Sequence, residues 1–254
     1  MSGWLILLLL ILSSSIPALA VFFWFRVSRY SFSSVRFLLV LLTGAAAYFP
    51  ALILQSFFPP NFYVSGRLGL ILQIFLPVPF TEEFSRLLVL LVFFFIAGKI
   101  ASRQRTIADS GSPAKTAPPA DLTSTAMPAG YASVIYASAA GLVAGLGFAI
   151  LESAAYGAAN PGITLVRLFT AAPLHGACGA RVGAAAILFR SHPAQGFYRF
   201  FTAVMIHGIY NWMIVMPGFI SLAAVLIALF SLASAILSIH GGMKPQQAEG
   251  NAGY

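Results

Sequence analysis

Apolar runs long enough to cross a bilayer recur along the whole of this 254-residue chain, and they leave few folds open. A helix needs about 20 consecutive apolar residues to traverse the hydrocarbon core. Seven stretches meet that need, at about 4–25, 37–58, 68–98, 131–156, 163–189, 197–215 and 218–239. Backbone groups in lipid must be satisfied internally, so only helices or a closed barrel can span. The runs are continuously apolar and do not alternate, which selects helices. With 59% hydrophobic and 8% charged residues, the composition lies outside that of soluble domains. The expected fold is all-α, a polytopic transmembrane helical bundle of about seven helices.

The net charge of +8 raises a nucleic-acid reading, but the basic residues lie scattered at segment ends. They read as topology determinants. Arg26, Arg29 and Arg36 follow the first span, and Lys99, Arg103, Arg105 and Lys115 follow the third. Arg190 and Arg199 follow the fifth, and Lys244 lies in the tail. The intervening loops 59–66, 157–162 and 216–217 hold no Lys or Arg, although Arg67 borders one. The N-terminus is therefore expected outside and the C-terminus in the cytoplasm. Trp4–Phe25 with Ala18-Leu19-Ala20 imitates a cleavable signal, but it lacks a basic leader and reads as a retained first helix. The single cysteine, Cys178, excludes an internal disulfide and reads as a small apolar packing residue.

Residues 100–130 are rich in Ser, Thr, Pro and Ala and read as a flexible cytoplasmic linker. It divides an N-terminal unit, 1–99, from a C-terminal unit, 131–240, followed by a disordered tail, 241–254. The third span is too long for one straight crossing and holds Pro77 and Pro79, which break or kink a helix. Thr81 is placed to cap a fresh helix there, with the next two residues at its N-terminus. Gly141-x-x-x-Gly145 and Gly179-x-x-x-Gly183 set small residues on one helix face, the pattern of close helix packing.

Against this apolar background, three of the six acidic residues, Glu82, Glu83 and Glu152, lie inside the spans. A charge at the bilayer centre costs about 2.5–3.5 kcal/mol on insertion scales, so such residues are functional candidates. His175, His207 and Asn211 accompany them in other spans. At a rise of about 1.5 Å per residue, Glu82, Glu152, His175, His207 and Asn211 all fall in the outer-to-middle layer. His207 and Asn211 share a helix face, as do Glu82 and Arg86, each pair being four residues apart. Glu82 and Glu83 diverge by about 100°, so one of them is expected at the reacting centre and the other in support. The structural alternatives are an ion pair of the glutamates with Arg86 or Arg167, snorkelling of Glu152, and helix-bridging by the histidines and Asn211.

The segment Pro79-Phe-Thr-Glu-Glu-Phe-Ser-Arg86 resembles the paired-glutamate motif of PrsW-type intramembrane proteases. Gly145-Leu-Gly-Phe-Ala-Ile-Leu-Glu-Ser-Ala-Ala-Tyr156 resembles the second motif of that family. Arg167-Leu-Phe-Thr-Ala-Ala-Pro-Leu-His175 and His207-Gly-Ile-Tyr-Asn211 match its third and fourth in type and order. The likeness spans about residues 79–211. The family is itself similar to the CAAX prenyl endopeptidases, in which a Phe-x-x-x-His motif holds a histidine; here Phe148-x-x-x-Glu152 puts a carboxylate in that place. Arg86 stands where Lys is common, and Ser153 where Asn is common.

The resemblance implies an intramembrane endopeptidase of the bacterial cytoplasmic membrane, cutting membrane-anchored proteins such as anti-sigma-factor-like regulators. It makes Glu82 the base, Glu83 its support and Glu152 a partner holding the water. It gives His207 and Asn211 as oxyanion donors and His175 as an orienting or binding group, with Arg86 and Arg167 supporting. Peptide hydrolysis needs these functions: a base, oxyanion donors and an acid for the leaving amine. Two further readings stay open. One is a zinc-dependent protease with His175, His207 and Glu152 as ligands, a donor set that Zn²⁺ accepts. The other is a proton-coupled transporter or channel. The partners expected are the bilayer and a membrane-anchored protein, without nucleic acid.

Overall fold

A computed structural model describes residues 3–28, 32–58, 66–110 and 131–242. Among them the chain is helical, and six segments are long and apolar enough to cross a membrane. The first comprises α1 (Gly3–Ser14) and α2 (Ile16–Val27). Pro17 opens α2 and Ser15 Oγ turns back to Ile11 O at the joint. The second is α3 (Ser34–Ala46), capped by Ser33, with α4 (Tyr48–Ser56). The third is α5 (Gly66–Phe75), a π-helical turn (Leu76–Phe80) and α6 (Thr81–Ser110).

The fourth is α7 (Tyr131–Ala159). After Asn160, whose side chain accepts from Gly162 N, comes the short α8 (Pro161–Phe169). Then follow α9 (Ala171–Ser191), α10 (Pro193–Ile214) and α11 (Phe219–Gly242). At 22 residues α10 is also long enough to span, but Arg199, His207 and Asn211 dilute its apolar character and it is not among the six. The expected fifth span is therefore two helices that part at Thr170, just before Pro173.

Pro77 and Pro79 are accommodated by the wider π turn and do not break the chain. A proline leaves a carbonyl without its helical donor. The Thr81 hydroxyl donates to Pro77 O at 2.7 Å and Val78 O at 3.0 Å. That corrects the expectation of a Thr81 cap: the hydroxyl serves carbonyls behind it, and the glutamates do not sit at an open helix end. Helix α6 runs to Ser110, into the stretch read as a linker. Residues 111–130 of that linker, and 243–254 of the tail, lie outside the described residues.

The two glycine motifs meet each other. A methyl group on Gly141 would lie 2.1 Å from Gly179 O, and one on Gly145 would lie 2.0 Å from His175 O. Backbones that close require glycine. Helices α7 and α9 thus form the centre of the bundle, with about four-fifths of each buried (78% and 83%). The Gly3–Val27 and Phe219–Gly241 spans, with 17% and 22% buried, are peripheral. Helix α3 packs on the other side of α7, where Gly44 meets Ala144 and Gly147 meets Leu41.

Candidate active site

The glutamate pair enters the bundle centre directly after the π turn, and α6, α7, α9 and α10 each bring one or more polar groups to it. Glu82, Glu83, Arg86, Glu152, His175 and His207 are all buried. Glu83 Oε1 lies 2.7 Å from His207 Nδ1 and 2.9 Å from Arg86 Nη2. Glu82 Oε1 accepts from Gln55 Nε2 at 3.2 Å. Its other oxygen, Oε2, lies 3.8 Å from His207 Nε2, 4.0 Å from His175 Nδ1 and 3.4 Å from Arg86 Nη2.

His175 is held from both sides. Its Nδ1 faces Arg86 Nη2 at 3.1 Å, and its Nε2 faces Glu152 Oε2 at 2.6 Å. Glu152 Oε2 in turn pairs with Arg167 Nη2 at 2.5 Å, and Arg167 Nε donates to Ser153 Oγ at 3.1 Å. Arg167 also lies over the Tyr156 ring at 4.4 Å. The Phe148 ring supports Arg86, 4.5 Å away, and stands 5.3 Å from the His175 ring. The two imidazoles are perpendicular, with centroids 5.1 Å apart.

These partners assign the tautomers. A carboxylate accepts, so His207 carries its proton on Nδ1 toward Glu83 and turns the Nε2 lone pair toward Glu82. A guanidinium only donates, so His175 Nδ1 is an acceptor and its Nε2–H points to Glu152. Each imidazole is thus backed by one carboxylate and turns its other nitrogen toward Glu82, His207 Nε2 at 3.8 Å and His175 Nδ1 at 4.0 Å while it accepts from Arg86. Glu82, His175 and His207 each offer one ligand atom, all within 4.8 Å of one another. Three carboxylates against two guanidinium groups leave the cluster one negative charge in excess, a balance met by a proton or a bound cation.

Glu82, Glu83, Arg86, Glu152, Arg167, His175 and His207, all drawn from the sequence, lie together here. Arg86 approaches Glu83 at 2.9 Å more closely than Glu82 at 3.4 Å, because the guanidinium reaches both i−3 and i−4 neighbours. The carboxylate that completes the two-histidine group is Glu82 and not Glu152, which is spent on Arg167 and His175. Asn211 is half-buried one turn beyond His207 and has no hydrogen-bond partner among the described residues. Sequence reasoning missed Gln55 as the partner of Glu82, although an amide inside an apolar span was a visible signal.

The family model of PrsW family intramembrane metalloproteases matches residues 34–235, which includes every group of this cluster. No curated protein and no solved structure matches the chain. The chain belongs to the PrsW family of intramembrane proteases.

Proposed function

We propose that this intramembrane endopeptidase activates water on Glu82, and that its substrates are single-span, membrane-anchored proteins of the anti-sigma-factor type. The observation that carries the reading is the pair of imidazoles turned toward Glu82 Oε2, each backed by a carboxylate. Water between these three groups would give a proton to Glu82 as its oxygen attacks the scissile carbonyl. The free amide of Asn211, on the same face of α10 as His207, is available to the developing oxyanion. Glu82 would then return the proton to the leaving amine. Glu83 fixes His207, and Glu152 with Arg167 fixes His175, so the centre is held before substrate arrives. An apolar cavity of about 190 Å³ between α5 and α10, lined by Leu70, Ile74, Phe75, Ile209 and Trp212, adjoins Gly208 beside His207. It suits the apolar segment of a substrate arriving from lipid.

A second reading is favoured by the donor set. Glu82, His175 and His207 supply one carboxylate oxygen and two imidazole nitrogens, a set that fits Zn²⁺, with Glu83 and Glu152 as the outer carboxylates such ligands usually have. When bound, the ion would polarise the carbonyl and acidify water. Arg86 already donates toward His175 Nδ1 and Glu82 Oε2, so guanidinium and ion compete for the same lone pairs. This ranks the direct carboxylate mechanism first. A chelator titration separates the two, since strong inhibition reversed by zinc overturns the metal-free mechanism. The function itself is tested by comparing membrane-anchored proteins in cells carrying wild type, Glu82→Gln or Glu152→Gln. One uncut precursor accumulating in both variants is expected, and identical profiles would refute the proposal.

A further inference from the structure

Helix α9 carries a second ionisable group that the peptidase centre does not use. Arg181 lies six residues beyond His175, about 9 Å further toward the side of the basic loops. Its Nη1 donates to Ala177 O at 2.9 Å and to Ser231 O at 3.4 Å, which pins the guanidinium between α9 and α11. From α10, Arg199 reaches the same place, six residues and about 9 Å from the end of its helix. The two arginines line one small cavity of about 30 Å³ together with Ser138 of α7 and Ser234 and Ser238 of α11. Four helices therefore build it.

Neither arginine has an ion-pair partner among the described residues; the carboxylates that pair there, Glu82, Glu83 and Glu152, belong to the other layer. Arg181 is half-buried and Arg199 exposed; two like charges at one cavity without a counter-ion repel each other, and the half-buried Arg181 carries a desolvation cost as well. An anion removes both costs. The lining offers Arg199, the donors of Arg181 that Ala177 O and Ser231 O do not take, and Ser138 and Ser234, while the Ser238 hydroxyl is turned to Ser234 O. Guanidinium forks suit the tetrahedral oxygens of phosphate, and the volume admits a group of a few atoms and no acyl chain or peptide. Basic pockets between membrane helices near the cytoplasmic surface are where anionic headgroups bind.

We infer that this cavity binds the phosphate of an anionic phospholipid headgroup, from the leaflet that the basic loops face. The test uses the full chain purified in a neutral detergent, with bound lipid read by native mass spectrometry and the unfolding midpoint read during titration. The probes are phosphatidylglycerol, phosphatidylcholine and sodium phosphate. Phosphatidylglycerol is expected to bind one to one and to raise the midpoint, with phosphatidylcholine weaker by about tenfold or more. Arg199→Gln and Ser138→Val should each weaken the phosphatidylglycerol effect, Arg199→Gln by about tenfold or more, the scale of a lost charge-assisted hydrogen bond. Arg199→Lys should recover part of it. Arg181→Gln is the harsher variant, because Arg181 also ties α9 to α11, and the exposed Arg199 keeps the test decisive if that variant fails to fold. Equal binding of phosphatidylglycerol by wild type and Arg199→Gln would overturn the proposal. Stabilisation by sodium phosphate with no lipid adduct would also overturn it, assigning the cavity to free phosphate. Proteolysis is not read at any point, so the outcome is independent of the hydrolytic mechanism.

Discussion

Gly145→Ala is expected to inactivate the enzyme through one methyl group placed outside the reacting cluster. The new carbon would lie 2.0 Å from His175 O and 2.7 Å from its carbonyl carbon, where ordinary contact begins at 3.4 Å. Helices α7 and α9 must part by about 1.4 Å to admit it, since close-packed backbones cannot absorb the overlap. Alanine is a better helix former than glycine by about 1 kcal/mol, so the substitution alone favours α7. Overpacking opposes that gain by about 1–3 kcal/mol. The 2.6 Å contact between His175 Nε2 and Glu152 Oε2 bridges the same two helices. Stretched by about 1 Å it leaves hydrogen-bond range, and a misplacement of that size costs about 100-fold in rate. The assay is kcat and KM in proteoliposomes on the precursor identified by the proteomic comparison, with the unfolding midpoint read in parallel. The expected result is a loss concentrated in kcat with the protein still folded. Gly98→Ala and Gly241→Ala, whose added carbons meet nothing within 4 Å, serve as controls. A Gly145→Ala enzyme with wild-type rate and stability would refute the argument that this backbone contact sets the site.

Glu83→Gln offers His207 an amide in place of a carboxylate and frees its tautomer. A loss of about 10- to 100-fold in kcat with little change in KM is expected from steady-state rates, the usual cost of removing a carboxylate behind a functional histidine. Arg167→Gln leaves Glu152 with His175 as its only ion-pair partner among the described residues. Breaking one partner of a buried pair costs about 3–5 kcal/mol, reduced here because Arg167 is partly exposed, so a lowered unfolding midpoint is expected. Arg167→Lys should recover part of that midpoint, and no recovery would show that the fork to Ser153 and Glu152 matters more than the charge.

The spans were legible because apolar length is a strong signal, and the glycine motifs announced close packing. What the motifs could not say was which helix each would face; that both meet on α7 and α9 is a tertiary fact. The joints at Ser15, Ala47 and Thr170 were harder to read, since one proline in an apolar run lowers hydropathy little. The depth of the charged residues brought the correct helices to one layer, yet not the contacts within it. Nothing in the sequence shows that Arg167 and His175 both close on Glu152, and those contacts are what set its surroundings apart from those of Glu82. Gln55 went unread because it is one amide in a span whose apolar residues dominate the pattern, and Arg181 because His175 and Arg167 in the same expected span drew the functional reading.

The central claim is that Glu82 drives hydrolysis of a peptide bond inside this bundle. Its most direct test is cleavage of the precursor in proteoliposomes made up in ¹⁸O-water, with mass analysis of the new carboxyl terminus. Wild type is expected to release a fragment carrying the heavy oxygen, and Glu82→Gln, folded to the same midpoint, to release none. Cleavage by Glu82→Gln at the wild-type rate, or an intact precursor with both proteins, would contradict the account.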